Sequence, residues 1–201
     1  MNGQLENLAT KLQKNGFQTE IFATKEQARK FILQQCKGKT VGTGGSVTLN
    51  QMDMITELKK VAKELYAREI SKDRVTAKNA LTADVYLLSA NAISEEDGTI
   101  VNIDGVGNRV AASIYGPNEV IFVVGKNKLC TNLQDCLHRV KNVATPKNVK
   151  RLGLTGTPCA TADECVNCNS PNCICRITVL HNKAPRQTSS TVVLINEDLG
   201  L

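Results

Sequence analysis

At 201 residues, with 41% hydrophobic and 22% charged side chains, the chain has the size and composition of one globular domain that closes a core without cross-links. No stretch approaches the roughly 18 consecutive apolar residues of a bilayer span, and the opening Met1-Asn2-Gly3-Gln4-Leu5-Glu6 lacks the basic start and apolar run of a secretory signal, so a cytoplasmic protein is expected, with no membrane partner. A formal charge of +6 combined with no Trp, three Tyr and four Phe offers few platforms for stacking bases, which argues against nucleic-acid binding.

Leu5, Leu8, Ala9 and Leu12 recur at helical spacing up to Asn15-Gly16, a pair suited to a helix C-terminus. Residues 17–22 suit a short strand, and Thr24 with Gln27 makes a capping-box pattern that opens a helix to about Cys36, with Ala28, Phe31 and Ile32 facing inward. Lys39-Thr40-Val41 is extended and runs into Gly42-Thr43-Gly44-Gly45-Ser46. Met52, Ile55, Leu58 and Leu65 then keep helical periodicity, and a long polar helix is expected to follow. Residues 84–89 form an apolar run suited to a strand buried on both faces, 99–103 is a second candidate, and 119–125 is the strongest strand in the chain. Asn108 is placed to cap a short helix that stops at Gly116-Pro117, and Asn132 to cap one carrying Leu133, Cys136, Leu137 and Val140. Residues 153–176 form a cysteine-rich, loop-rich excursion, beyond which strands at 177–180 and 191–195 can pair antiparallel. The alternation predicts an α/β fold: one domain over 1–201, a largely parallel sheet with helices on both faces, and the cysteine-rich loop inserted near the C-terminus.

Three motifs can carry chemistry. Glycines at Gly42, Gly44 and Gly45 leave backbone N–H groups unshielded, and the hydroxyls of Thr43, Ser46 and Thr48 add donors, so this loop can cradle phosphate or carboxylate; the plainer reading is a tight turn. Asp104 closes an apolar strand, and Asn108-Arg109 opens a helix; an acid there can act as a general base and the guanidinium as an anion clamp, or the two can form only an ion pair. Glu96, in Glu95-Glu96-Asp97-Gly98, is a second candidate carboxylate, unless that run is merely a hairpin turn. If the strands before them are parallel, the glycine loop, the Asp104-to-Arg109 loop and Lys126 after Gly125 open on one edge and form one anion site. Third, Cys159, Cys165, Cys168, Cys173 and Cys175 crowd a short, turn-rich segment, as expected of thiolates sharing a metal or cluster rather than of a disulfide framework; spacing alone separates zinc poorly from iron–sulfur, and reduced bystander thiols are the alternative.

Together these motifs resemble the LUD-domain family, named for lactate utilization, and its short stand-alone members in particular. The likeness runs through residues 42–49, Asp97-Gly98, Asp104-Gly105-Val106-Gly107-Asn108-Arg109, Gly125-Lys126-Asn127-Lys128, the cysteine-rich stretch and Asn196-Glu197-Asp198-Leu199-Gly200. It implies a fold similar to ribose-5-phosphate isomerases and CoA transferases, whose glycine loops hold phosphates or CoA. Related cysteine-bearing sequences end their cluster in Ser-Pro-x-Arg-Ile-Cys, which implies Cys159, Cys165, Cys168 and Cys175 as the metal ligands and leaves Cys173 as the departure. Some relatives act with iron–sulfur proteins in lactate oxidation, so the resemblance implies redox metabolism and favours iron–sulfur over zinc. The ferredoxin-like repeats of the longer subunits are not in this sequence, which implies an accessory role.

Three functions follow as expectations: an accessory protein of organic-acid metabolism binding a small anion and a metal centre; a free-standing enzyme on a sugar phosphate or CoA ester; and a module docking an acidic iron–sulfur redox partner. The docking surface would be the stretch at 139–151, where Arg139, Lys141, Lys147, Lys150 and Arg151 have no acidic neighbour, although a solvated face is the plainer reading of it. The sequence also leaves room for a homodimer.

Overall fold

The computed structural model describes residues 3–162 and 164–201. They fall into two compact units: the first takes residues up to Ser89 with Asn108–Asn127 and Lys183–Gly200, the second Ala90–Gly107 and Lys128–Asn182.

The first unit is an α/β layer structure. Its strands are β1 (Gln18–Phe22), β2 (Thr40–Thr43), β3 (Glu64–Ala67), β4 (Val85–Leu88), β7 (Glu119–Gly125) and β10 (Ser189–Ile195), arranged β1-β10-β7-β4-β2-β3 with every neighbouring pair parallel. Parallel pairing requires crossovers, and α1 (Gly3–Lys14), α2 (Lys25–Cys36), α3 (Val47–Gln51), α4 (Met54–Val61), α5 (Arg74–Leu81) and α6 (Asn108–Ile114) supply cover. Alternate strand residues face opposite ways: Val85, Leu87, Ile121, Val123, Val193 and Ile195 join Ala28, Ile32, Leu49 and Leu58 in one cluster, while Phe122 turns to the other side and meets Phe17 edge-on at 6.3 Å. The sheet is therefore covered on both faces, as the apolar runs predict.

Local signals hold where they are strong. The Thr24 hydroxyl accepts from Gln27 N while Gln27 reaches back, a complete capping box, and Asn132 caps α7 (Leu133–Arg139) by accepting from Asp135 N at 2.9 Å. The long polar helix expected before Asp84 is instead broken. Asp53 takes a left-handed φ of 52° between α3 and α4, Glu64–Ala67 pairs with β2 as an edge strand, and Asp73 starts α5 by accepting from Thr76 N at 2.7 Å. A four-residue strand with one neighbour and an outward Glu64 carries too little β pattern to interrupt a helical period.

The second unit is built on a four-stranded sheet ordered β8-β5-β6-β9, from β5 (Ala92–Ser94), β6 (Ile100–Asp104), β8 (Leu129–Cys130) and β9 (Ile177–His181). The last two strands do not pair with each other: β9 pairs antiparallel with β6, whereas β10 lies parallel between β1 and β7 of the other sheet. β6 likewise belongs to this second sheet and not to the parallel one. After α7 the helix widens into a π turn (Val140–Ala144) and tightens again as α8 (Thr145–Arg151). Pro146 explains the change, since it has no N–H to continue the ladder, and Thr145 N donates instead to Val140 O.

Candidate functional site

In the parallel sheet the chain leaves β2 outward to β3 but leaves β4 the other way, toward β7, so the neighbouring strands β2 and β4 flank a topological switch point, where α/β sheets place ligands. The edge is also stepped. Leu87 pairs with both Thr43 and Ile121, and β7 continues four residues past that level to Gly125, roughly 13 Å at about 3.3 Å per residue. β2, β3 and β4 thus end short of β7, and the glycine loop follows β2 at this step.

Its glycines serve different ends. Gly45 has φ +88°, which only glycine takes without strain. A Cβ on Gly44 would lie 2.6 Å from the Tyr86 hydroxyl oxygen and 3.0 Å from Arg109 Cβ, so Gly44 makes room for neighbouring side chains rather than leaving an open face. Ser46 caps α3, accepting from Leu49 N at 3.4 Å, and the Thr48 hydroxyl lies 3.3 Å from Ser89 Oγ just beyond β4. Arg109, one residue into α6, donates to Ser89 O at 3.1 Å. The structure therefore gathers Gly44, Thr48, Ser89 and Arg109 at the switch point. Asn108 opens α6, while Lys126 follows β7 with its side chain exposed and its backbone N–H on Glu197 O at 3.0 Å.

A carboxylate not singled out by the sequence motifs belongs to this loop. Glu69, just beyond β3, accepts from the Thr43 hydroxyl at 3.5 Å and from the Asn50 amide at 3.2 Å. Once Glu64–Ala67 is a strand beside β2, the acid two residues after it falls at the same sheet edge; reading that segment as helix hid it. The two carboxylates named from sequence, Asp104 and Glu96, lie in the second unit. Asp104 Oδ1 accepts from Val106 N and Gly107 N, both at 2.9 Å, in an Asx turn, and Glu96 is exposed in the turn joining β5 to β6.

The second unit contains a cleft of about 250 Å³ whose walls include Cys159, Cys165, Cys168, Cys173 and Cys175, together with Lys141 and Thr145. Packing brings these residues together. The π turn carries Lys141, whose ammonium reaches Asn167 Oδ1 at 3.3 Å, and Asn142, whose Oδ1 accepts from Cys165 N at 3.1 Å. On the other side the Asp104-Gly105 corner seats the loop: Arg176 N donates to Asp104 O, and a Cβ on Gly105 would lie 3.1 Å from Ile174 Cα. Within the loop, Asn167 turns through a left-handed φ of 53° and its N–H donates to Cys165 Sγ at 3.4 Å. Cys159 is buried, its thiol donating to the Thr157 hydroxyl at 3.6 Å.

Cys173 and Cys175 sulfurs stand 2.9 Å apart, beyond a disulfide's roughly 2.05 Å, and both are reduced. Burial first, then the Cys173 thiol, pushes Cys175 up to about 12. Thr145, only 5% exposed, has a buried hydroxyl in this wall with no hydrogen-bond partner among the described residues. Among the described residues no three Cys, His, Asp or Glu side chains are close enough to share a single ion. The basic stretch is less uniform than its sequence: Arg139 is half-buried and donates to Asn91 O at 2.6 Å.

Comparison with known proteins agrees with this architecture. A crystal structure of a DUF162 family protein from Deinococcus radiodurans is similar over 96% of each chain, with a TM-score of 0.55 at 13% identity, which supports the fold alone. No curated protein matches the chain. The profile of the LUD domain matches residues 5–195, nearly the whole sequence, and the chain belongs to the LUD-domain family.

Proposed function

We propose that this LUD-domain protein is an accessory component of organic-acid metabolism of the lactate type, with a thiolate-ligated iron–sulfur centre in the cysteine cleft and a small-anion site at the switch point. The observation that carries the proposal is that all five clustered cysteines line one cleft of about 250 Å³. Soft thiolates select zinc, copper(I) or iron–sulfur. Structural zinc sites are closed around one ion, whereas this space is several times the roughly 30 Å³ share of one water, which favours a polynuclear centre. Cys159, Cys165, Cys168 and Cys175 would hold it, and when bound it would supply one-electron transfer. The chain's own part is to supply donors: the Asn167 N–H on the Cys165 sulfur, and the Lys141 ammonium in the same wall, would offset the charge of the ligating sulfurs. The Thr145 hydroxyl has a donor to offer the centre. Anaerobic reconstitution with ferrous iron and sulfide tests the reading. Wild type should take up both, and a Cys165→Ser/Cys168→Ser variant neither; equal uptake by the two overturns it.

For the anion site, support comes from the Arg109 guanidinium on Ser89 O at the switch point, near the hydroxyls of Ser46, Thr48 and Ser89, with Asn108 and Lys126 as outer donors. Phosphate, a CoA ester or a small carboxylate suits that chemistry. Glu69 favours a second reading, a free-standing enzyme on a sugar phosphate or CoA ester in which this carboxylate is base or nucleophile. Turnover of such a substrate that Glu69→Gln abolishes while binding persists would establish it; turnover unchanged by that substitution would remove it.

A further inference from the structure

Two further cysteines of the second unit lie outside the cleft. Cys130 ends β8 and is half-buried; Cys136, in α7, is fully buried in a small apolar cluster with Ala92, Val101 and Val140, against which Cys130 packs. Cys130 packs against the cluster that holds Cys136, within reach of a hydrogen bond from the Cys136 thiol, and its own thiol donates to Lys128 O at 3.8 Å; Arg139, one turn further along α7 and anchored on Asn91 O, is near enough to both sulfurs to feel their charge. The Cys136 hydrogen bond and the Arg139 charge together hold the Cys130 thiol below its ordinary range, outweighing burial, Asp135 and Glu95. That hydrogen bond, then burial, with Cys130, Asp97 and Asp135, pushes the Cys136 thiol far up. One sulfur is thus reachable and inclined to the thiolate, and its partner is sheltered, protonated and in contact with it.

We propose that Cys130 and Cys136 form a reversible disulfide site that reacts with small-molecule disulfides of the glutathione type. The Cys130 thiolate attacks one sulfur of the oxidised reagent; the S–S bond breaks, one thiolate leaves and a mixed disulfide remains. Cys136 then loses its proton to the departing thiolate, attacks the Cys130 sulfur and releases the second thiol. Two protein thiols and one small disulfide become one protein disulfide and two small thiols. The second step follows from the first, because capping Cys130 removes the anion that held the Cys136 proton and leaves Arg139 facing Cys136 alone. The product would tie α7 covalently to β8, beside the turn that feeds the cleft.

The test is a thiol map. Reduced protein is equilibrated with graded ratios of reduced to oxidised glutathione, alkylated, digested and read by mass spectrometry. The expected result in wild type is a linked peptide pair carrying Cys130 and Cys136, with no glutathione retained on Cys130. In Cys136→Ala, an apolar replacement suited to the buried cluster, Cys130 should accumulate the mixed disulfide instead. Arg139→Gln should slow alkylation of Cys130 at neutral pH several-fold. The proposal fails if wild-type Cys130 stays reduced across ratios that oxidise other cysteines of the chain, or if it retains glutathione in wild type as it does in Cys136→Ala.

Discussion

The first unit keeps one cysteine, Cys36, fully buried and pushed up to about 12, chiefly by burial; the second holds the other seven, five of them on one cleft. Their scaffolds differ as much as their thiols. In the first, a glycine loop is held by β2 and β4 of a parallel sheet, and its neighbours are other parts of the same sheet edge. In the second, the cleft is walled by a cysteine loop held to a π turn by Asn142 and Lys141 and to β6 by Asp104. Rigid strands suit recognition of a fixed anion, whereas a loop with few regular hydrogen bonds can be ordered by what it ligates, since thiolate binding energy is also folding energy for its surroundings. The Asp104-to-Arg109 motif is divided accordingly: Asp104 and Gly105 seat the cysteine loop, while Arg109 serves the glycine loop.

Substitutions in the cleft should have the largest effects and leave the first unit intact. Serine at Cys159, Cys165, Cys168 or Cys175 should each remove most of the iron bound after anaerobic reconstitution, whereas Cys173→Ser should keep it; iron and sulfide analysis of the five variants decides the ligand set. Next comes Gly44→Val, whose Cβ would meet the Tyr86 hydroxyl and Arg109. Overpacking of this kind costs about 1–3 kcal/mol, so the melting temperature should fall by several degrees and anion binding should be lost while iron content is unchanged. An iron content that fell with Gly44→Val would end the division of labour between the units.

Much of the fold is legible in the chain. Residues 84–88 and 119–125 read as buried strands because their apolar runs are unbroken, and Thr24, Asn132 and Asn108 mark helix starts by side chains that match backbone donors or take the first helical position. What is hidden is short or non-local. β3 and β5 have four and three residues, too few to show a period. The separation of β9 from β10 depends on which partners their edges find, which no local pattern contains. The cysteine cluster is plain as a spacing, but Lys141 and Thr145 join it only because Pro146 opens a π turn, and Glu69 reaches the glycine loop only through a strand that reads as helix.

Smaller effects refine the same contrast. Arg109→Ala removes a charge-assisted bond worth on the order of 1.5–3 kcal/mol, so an anionic ligand identified by calorimetry should bind roughly tenfold or more weakly. Asp84 gives the mildest test. Its carboxylate accepts from Thr40 N at 2.8 Å and from the Thr40 hydroxyl at 2.7 Å, tying β2 to β4, and these bonds, with Lys39 and Lys63 nearby, hold its pKa below the usual range. A depressed carboxyl pKa stabilises the fold above the unfolded value near 3.9, and the contribution fades as pH falls through the folded one. Acid titration followed by circular dichroism should therefore show a shallower loss of stability below about pH 4 in Asp84→Asn than in wild type.

The central claim, that the five-thiol cleft holds an iron–sulfur centre, is tested most directly by the visible absorption spectrum and the iron, sulfide and zinc content of the protein purified without oxygen. The account predicts a brown protein containing iron and acid-labile sulfide in comparable amounts, bleached by reduction. A colourless protein carrying one zinc per chain, or one that takes up no metal under reconstitution, would contradict it.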